Sequence, residues 1–180
     1  STHRNGFELG VLALKKLKAE FGSRVEIVTA GEHWSPEAYG LTGEITSLGV
    51  LPYEKTGDLY RECDIGLCFM FTKHPSYLPL EMMACGVTVV TNNNPANLWL
   101  LEHDQNCLLA EPTVACVHEQ LARAVKDTEL RARLGAAAAE RMTRTTWEEQ
   151  VSRVYANLTG LGGEEAVASP SAVDSEARAS

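Results

Sequence analysis

The 180-residue sequence predicts an α/β fold, a Rossmann-like parallel sheet flanked by helices. Two observations lead to this fold class. Helical patterns alternate with short runs of β-branched residues through most of the chain, which is typical of parallel sheets with helices on both faces. One such run, residues 65–69, lacks any polar residue, as expected for a parallel strand that is covered on both faces.

The first half of the chain alternates helix and strand. Leucines recur at helical spacing after Phe7 and the pattern stops at Gly22, which predicts a helix with a glycine just past its end. Two runs with β-branched residues follow, ended by Gly31 and Pro52, and each predicts a strand. The predicted elements are a helix over 7–21, strands over 24–30 and 45–51, a helix over 54–62 and a strand over 65–69.

The second half continues the alternation and then becomes helical. The predicted elements are a helix over 78–85, a strand over 87–91, a brief helix after Pro95, a strand over 107–110 and helices near 113–126, 128–144 and 146–157. No strand pattern precedes the first helix. We therefore expect the first strand of the sheet to lie upstream of residue 1.

The sequence predicts one domain over residues 1–160 and a disordered tail over 161–180. The tail has almost no large apolar residue, so it cannot bury enough surface to offset its chain entropy. The formal net charge of the chain is −8, and the tail carries −3 of it. An acidic chain disfavours nucleic acid and anionic membrane as partners, because both select clustered Lys and Arg.

The five cysteines contain no CxxC pair, which indicates small buried hydrophobes rather than a metal site or a redox site. No apolar run approaches the length of a membrane span, so no transmembrane segment is predicted. The first residues lack the apolar core of a secretory signal. We therefore expect a cytoplasmic protein.

The segment over residues 73–91 combines a polar loop, a helix and a strand. A loop that joins the end of a strand to a helix offers free backbone amides and the positive end of the helix dipole, where phosphates bind. Glu81 lies about one turn into this helix among apolar neighbours, where a lone carboxylate is costly unless it accepts hydrogen bonds. A sugar or ribose diol supplies two such donors. The alternative is an ordinary first-turn acid favoured by the helix dipole.

This segment resembles the donor-binding signature of retaining GT-B glycosyltransferases (group 1). In that signature two glutamates separated by seven residues precede Met-Ala-x-Gly-x-Pro-Val-Val. Glu81 matches the second glutamate, and Met83-Ala84, Gly86 and Val89-Val90 match the positions that follow. Three positions differ, with Lys73 at the first glutamate, Ser76 at a glycine and Thr88 at the proline. The motif His-Pro-Ser-Tyr-x-Pro-Leu-Glu is similar to the one in a branch of rhamnosyl and other deoxysugar transferases.

The resemblance extends over residues 4 to about 158. Arg4-Asn5 before a helix is similar to the family's Lys-Gly, and Gly31-Glu32 to its Gly-x-Gly turn. The stretch 47–51 resembles the segment whose backbone contacts the base, and residues 146–148 resemble the aromatic helix that crosses back toward the N-terminal domain. The resemblance therefore implies the C-terminal half of a GT-B fold.

The resemblance implies roles for particular residues. Glu81 is expected to bind the ribose hydroxyls and Arg4 the diphosphate. Ser76 and Tyr77 are expected to offer backbone amides to the diphosphate. Lys73 would neutralise the leaving diphosphate, and His74 would bind the sugar or a phosphate oxygen. The remaining expected donor contacts are Gly31, Val50 and Asn94. The alternatives without a ligand are a solvated charge for Arg4 and Lys73, a structural role for His74 and a polar turn at Asn94.

The implied reaction is glycosyl transfer with retention of configuration, in glycan or polysaccharide biosynthesis. The donor would be a dTDP-, UDP- or GDP-linked sugar, and the acceptor a glycan or lipid bound through an N-terminal domain that this sequence lacks. We expect no metal or other cofactor, since no DxD motif is present, and little activity without the N-terminal domain. Peripheral attachment to the inner membrane would also come through that half. The alternatives are a non-catalytic nucleotide-sugar-binding module, half of a sugar-nucleotide epimerase, or a phosphorylase.

Overall fold

The computed structural model describes residues 5–160. Arg4 and the tail predicted over 161–180 lie outside the described residues. The helices are α1 (Phe7–Phe21), α2 (Tyr53–Glu62), α3 (Leu78–Ala84), α4 (Val114–Lys126), α5 (Thr128–Thr143) and α6 (Trp147–Thr159). The strands are β1 (Val28–Thr29), β2 (Thr46–Ser47), β3 (Ile65–Leu67), β4 (Thr88–Asn92) and β5 (Leu108–Ala110), and short 3₁₀ turns occupy Gly22–Arg24 and Pro36–Tyr39.

The chain forms two units. The first ends at Arg144 and contains both sheets and helices α1 to α5, whereas the second begins at Thr145 and contains α6.

All strand pairs within residues 5–160 are parallel, as the sequence predicts. β1 pairs with β2, with Val28 opposite Thr46. β3, β4 and β5 form a second sheet in that order, with Gly66 opposite Val89 and Thr91 opposite Leu109. These strands are shorter than the β-branched runs that predicted them, because only two or three residues in β1, β2, β3 and β5 find a partner strand.

The fully buried central strand is β4 rather than β3. Every residue of β4 is buried between its two neighbours. β3 has β4 as its only neighbour among the described strands, and its Ile65 and Leu67 are half-buried. β1 likewise pairs on one side only in that part of the chain. The first strand expected upstream of residue 1 remains a prediction.

Helices cover both faces of the three-stranded sheet. Val90 packs with Leu17 and Phe21 of α1 and with Leu121 of α4. Val89 instead packs with Met83 of α3 and with other residues on the opposite face, including Ala138 of α5. Successive residues of a strand point to opposite faces, so this alternation confirms the two-sided arrangement. Helix α1 also packs on the smaller sheet, where Val11 contacts the cluster of Ile27, Leu41 and Ile45.

One predicted helix is wrong. The residues after Pro95 form successive turns instead, in which the amide of Asn97 donates to the Asn94 carbonyl and that of Leu100 donates to the Asn97 carbonyl. The apolar character of the segment came from Leu98 to Leu101, of which Leu100 and Leu101 enter the core.

The thiols are free, and Cys68 and Cys107 are buried as small apolar residues. Burial raises the pKa of each of these two thiols to about 12, so both stay protonated. Among residues 5–160 no group of three metal-ligating side chains is close enough to hold an ion. No helix in the same range is long and apolar enough to cross a membrane.

Candidate functional site

The start of α1 lies beside the loops that follow β1 and β3. Phe7 packs edge-on against Trp34 in the loop after β1, with ring centroids 5.2 Å apart. Gly6 lies against Phe71, which follows β3, so closely that a Cβ on Gly6 would come within 2.6 Å of the ring. These contacts bring the carboxyl ends of both sheets to one end of α1. Parallel α/β sheets bind their ligands at this end of the strands.

Glu81 lies in the first turn of α3, behind the loop that follows β3. Its amide donates to the Tyr77 carbonyl at 2.9 Å, which closes the turn. The neighbouring Met82 and Met83 are buried in the core, whereas Glu81 is half-buried. Its carboxylate makes no hydrogen bond or ion pair with any residue in the described part of the chain.

The environment of Glu81 includes the half-buried phenol of Tyr60. Burial, together with the negative charge of Glu81, raises the pKa of Tyr60 to about 12. The phenol therefore stays protonated beside the carboxylate at neutral pH. The phenol and the carboxylate form no hydrogen bond to each other, so both carboxylate oxygens are available to accept hydrogen bonds from a ligand.

Lys73 and His74 lie in the exposed loop between β3 and α3. The Lys73 ammonium has no hydrogen bond or ion pair within residues 5–160. His74 Nδ1 lies 2.7 Å from the Pro75 carbonyl oxygen. A carbonyl can only accept, so Nδ1 must carry the proton and Nε2 of the neutral ring keeps a free lone pair. The loop therefore presents one free cation and one imidazole of defined tautomer.

Ser76 and Tyr77 lead into α3, which is seven residues long. The Ser76 amide donates to Asn97 Oδ1 at 3.3 Å, so this group, which was expected to face a diphosphate, already has a protein acceptor. Tyr77 is exposed and its carbonyl accepts from Glu81. Of the two amides predicted to contact phosphate, only that of Tyr77 is without an acceptor in this part of the structure.

Asn94 lies beneath the loop rather than in an open pocket. Its side chain is 5% exposed, and its Nδ2 lies within hydrogen-bond distance of backbone carbonyls at Met70, Thr72 and His74. The expected contact with a sugar would therefore have to share a side chain that is already engaged by the loop. The geometry instead places Asn94 as a support for the residues that carry Lys73 and His74.

Gly31 and Val50 lie in the loops that follow β1 and β2. The Gly31 amide donates to the Gly49 carbonyl at 2.8 Å, which joins the two loops. Gly31 has a φ of 123° and Gly49 one of 66°, conformations that favour glycine. The His33 ring covers Gly49 so closely that a side chain there would collide with it. Val50 is 71% exposed, which leaves its backbone accessible to a ligand.

Sequence reasoning missed Asn97, Tyr60 and the His33 ring at this edge. The repeated asparagines after β4 were a signal for Asn97, because buried amides there must find partners. Nothing in the local sequence indicated Tyr60, which lies near Glu81 although it is 21 residues earlier in the chain, in α2.

Residues 1–122 match the family model of the C-terminal domain of WsaF. The chain belongs to this family. A relative, the O-antigen biosynthesis protein RfbC of Myxococcus xanthus, is 64% identical over 159 residues. The match covers 88% of this chain and 12% of RfbC, so this WsaF-type domain spans about an eighth of that relative.

Solved structures confirm the fold of the WsaF-type domain. The C-terminal domain of LpcC, a glycosyl transferase group 1 family protein from Francisella tularensis, superposes with a TM-score of 0.72 at 19% identity, covering 81% of each chain. Anabaena Alr3699/HepE in complex with UDP superposes with a TM-score of 0.69 at 18% identity, over 84% of this chain and 44% of HepE. WaaG, a glycosyltransferase involved in lipopolysaccharide biosynthesis, superposes with a TM-score of 0.69 at 16% identity. The match covers 87% of this chain and 44% of WaaG. The domain therefore has the fold of the C-terminal half of a GT-B glycosyltransferase, and the rhamnosyltransferase branch remains a prediction.

Proposed function

We propose that this chain is the donor-binding domain of a retaining glycosyltransferase that acts in O-antigen or related polysaccharide biosynthesis. The observation that carries the proposal is the half-buried Glu81 carboxylate, which has no hydrogen-bond or ion-pair partner among residues 5–160 and lies at the ligand-binding end of the sheet. Its position matches the second glutamate of the donor signature. The UDP complex of HepE and the name of RfbC support the same function.

Glu81 would accept hydrogen bonds from the two ribose hydroxyls of a nucleoside diphosphate sugar. A half-buried carboxylate without donors loses part of its hydration and gains nothing in return. A vicinal diol offers two O–H donors at the spacing of two carboxylate oxygens, and hydrogen bonds to a charged group are the stronger kind. The base would then lie toward Val50 and Gly31 in the loops after β2 and β1.

The diphosphate would lie over the loop that carries Lys73 and His74. The unpaired Lys73 ammonium would stabilise the negative charge that grows on the leaving phosphate, and His74 Nε2 would accept a hydrogen bond from the sugar. Arg4 and the Tyr77 amide would hold the remaining phosphate oxygens. As the bond from the anomeric carbon to the phosphate oxygen breaks, the acceptor oxygen bonds to the same face of that carbon. The leaving phosphate takes the acceptor proton, so no metal or cofactor is required.

The acceptor, a glycan or lipid-linked sugar, would bind to another part of the polypeptide, since this chain spans 12% of its relative RfbC. We therefore expect this chain alone to bind donor without transferring it. The same proposal places the domain in the cytoplasm, peripheral to the membrane through that other part. Acceptor-dependent transfer by the 180-residue chain would contradict this division of roles.

Titration calorimetry with UDP, dTDP and GDP tests the proposal. At least one of these nucleotides should bind the chain. The substitution Glu81→Gln should lower its affinity by about 10- to 100-fold, because one or two charge-assisted hydrogen bonds are lost. Glu129→Gln is the matched control, because Glu129 is also a first-turn acid but lies exposed at the start of α5. Equal affinities for wild type and Glu81→Gln, or no binding of any of the three by wild type, would refute the donor-site assignment.

One observation favours a second candidate, a non-catalytic nucleotide-sugar-binding module. The first signature glutamate is replaced by Lys73, so the catalytic machinery departs from the family pattern. Transfer assays on the longer polypeptide separate the two functions. For a transferase, Lys73→Ala should lower kcat at least about tenfold while nucleotide affinity changes less. A module would bind donor without turnover in either form.

A further inference from the structure

Three asparagines from the end of β4 and the turns that follow hold the loop between β3 and α3. Asn92 faces Met70, accepting from its amide at 2.8 Å and donating to its carbonyl at 3.0 Å. Asn97 likewise accepts from the Ser76 amide and donates to the Ser76 carbonyl, with both hydrogen bonds at 3.3 Å. All three side chains are at most 5% exposed. We call Asn92, Asn94 and Asn97 the asparagine brace.

The brace continues the sheet with side chains in place of a strand. The last backbone hydrogen bond between β3 and β4 runs from the Cys68 amide to the Val90 carbonyl. Two residues further along, the amide of Met70 finds the side chain of Asn92 instead of its backbone. A side-chain amide has the same donor and acceptor groups as a peptide unit. The hydrogen-bond ladder between β3 and β4 therefore extends beyond the point where the two strands separate.

Asn94 occupies the middle of the brace. Its Nδ2 lies 3.3 Å from the carbonyl oxygens of Met70 and Thr72 and 3.2 Å from that of His74. Its Oδ1 accepts from the Ala96 amide at 3.1 Å, which fixes the orientation of the amide group. The two hydrogens on Nδ2 are therefore shared among three carbonyls.

The braced carbonyls belong to alternate residues, 70, 72, 74 and 76. The brace therefore holds the backbone at four alternate residues of this loop, two before Lys73 and two after it. An exposed loop without helix or strand is thus fixed from beneath.

We propose that Asn94, supported by Asn92 and Asn97, is a positioning residue that holds Lys73 and His74 in place before any ligand binds. The consequence for ligand binding rests on the proposed donor function, whereas the order of the loop does not. A preorganised loop adds affinity because its ordering entropy is lost on folding and not on binding.

Two measurements on the intact chain test this role. Native-state trypsin cleavage after Lys73 reports loop opening directly, and UDP affinity reports its consequence. Asn94→Ala should raise cleavage after Lys73, and should weaken UDP binding, each at least about tenfold. Asn94→Asp keeps the shape and the Ala96 contact but removes the donors, so it should act in the same direction. Saturating UDP should slow cleavage in both variants.

Asn106→Ala is the matched control. Asn106 is also 5% exposed and is bonded to backbone groups, those of Leu100 and Glu102, in a separate turn. It should lower the melting temperature without changing cleavage after Lys73 or UDP affinity. If an Asn94 variant does not fold, Asn97→Ala, which frees only the Ser76 end, should give the same two changes at smaller size.

Unchanged cleavage in the Asn94 variants would overturn the brace. Faster cleavage with unchanged UDP affinity would overturn the positioning role while leaving the donor site intact, provided that Glu81→Gln still loses UDP. Absence of UDP, dTDP and GDP binding in wild type would refute the donor function and the effect of the brace on ligand binding, while the cleavage rates would still decide whether Asn94 orders the loop.

Discussion

Helices α4 and α6 are matched in construction but differ in burial. Each has 13 residues. Each is preceded by an N-cap threonine whose hydroxyl accepts from a backbone amide at 3.2 Å, Thr113 from Cys116 and Thr146 from Glu149. Helix α4 buries four residues, whereas α6 buries none. The exposed side chains of α6 include five large apolar ones, at Trp147, Val151, Val154, Tyr155 and Leu158.

The difference teaches that helical periodicity and burial are separate properties. The exposed apolar residues of α6 recur at spacings of three and four, which places them along one stripe of the helix. Contiguous exposed apolar surface marks an interaction site in soluble proteins. We expect another part of the polypeptide to cover this stripe, in agreement with the resemblance of residues 146–148 to a helix that crosses to the N-terminal domain.

The largest expected effect lies in the core beneath α4. Leu121 is 2% exposed and packs in the cluster around Val90. Leu121→Ala should lower the free energy of unfolding by about 3 kcal/mol through lost burial and a residual cavity. Urea unfolding followed by circular dichroism measures it. A loss below about 1 kcal/mol would mean that α4 is not part of the folded core.

The threonine caps give an intermediate effect that should differ between the two helices. Thr113→Ala should cost about 1 kcal/mol of unfolding free energy, because α4 unfolds together with the core. Thr146→Ala removes the same bond but should leave the main unfolding transition in place and only speed amide exchange in the first turn of α6. Equal shifts of the urea midpoint in both variants would show that α6 unfolds with the core and would remove the contrast.

The smallest effect should come from the end of α6. Leu158 is 82% exposed, so Leu158→Ala should change stability of this chain by less than about 0.5 kcal/mol. In a longer polypeptide that covers the stripe, the same substitution should cost about 2 kcal/mol or more. A large cost in the 180-residue chain alone would mean that a second copy covers α6, and sedimentation at several concentrations would detect such a dimer.

Much of the fold could be predicted because its signals are local. The helices follow from apolar spacing and from residues such as Gly22 and Gly86 at their ends, and the five strands appear near their predicted positions. Strand length and neighbours are not local. Residues 24–30 and 45–51 are rich in β-branched residues, yet each contributes two residues to a ladder. The run at 65–69 resembles a central strand, but centrality depends on partners that the run itself does not specify.

The candidate site was only partly predictable for the same reason. The position of Glu81 was evident from its apolar neighbours, and its half-burial is consistent with that reasoning. The asparagine brace joins residues that are 20 to 24 positions apart, so no spacing rule could pair them. The proximity of Tyr60 to Glu81 likewise arises from packing between α2 and α3.

The one-sided pairing of β1 and β3 bears on how this protein behaves at high concentration. Helix α1 ties the two sheets together by side-chain packing, while the outer strands, β1 and β2 in one sheet and β3 and β5 in the other, pair on one side only within residues 5–160. Such edge strands are templates for edge-to-edge association between molecules. Solutions of the chain should therefore oligomerise as they are concentrated, and a lysine or proline placed at Val28 should suppress this by blocking one template.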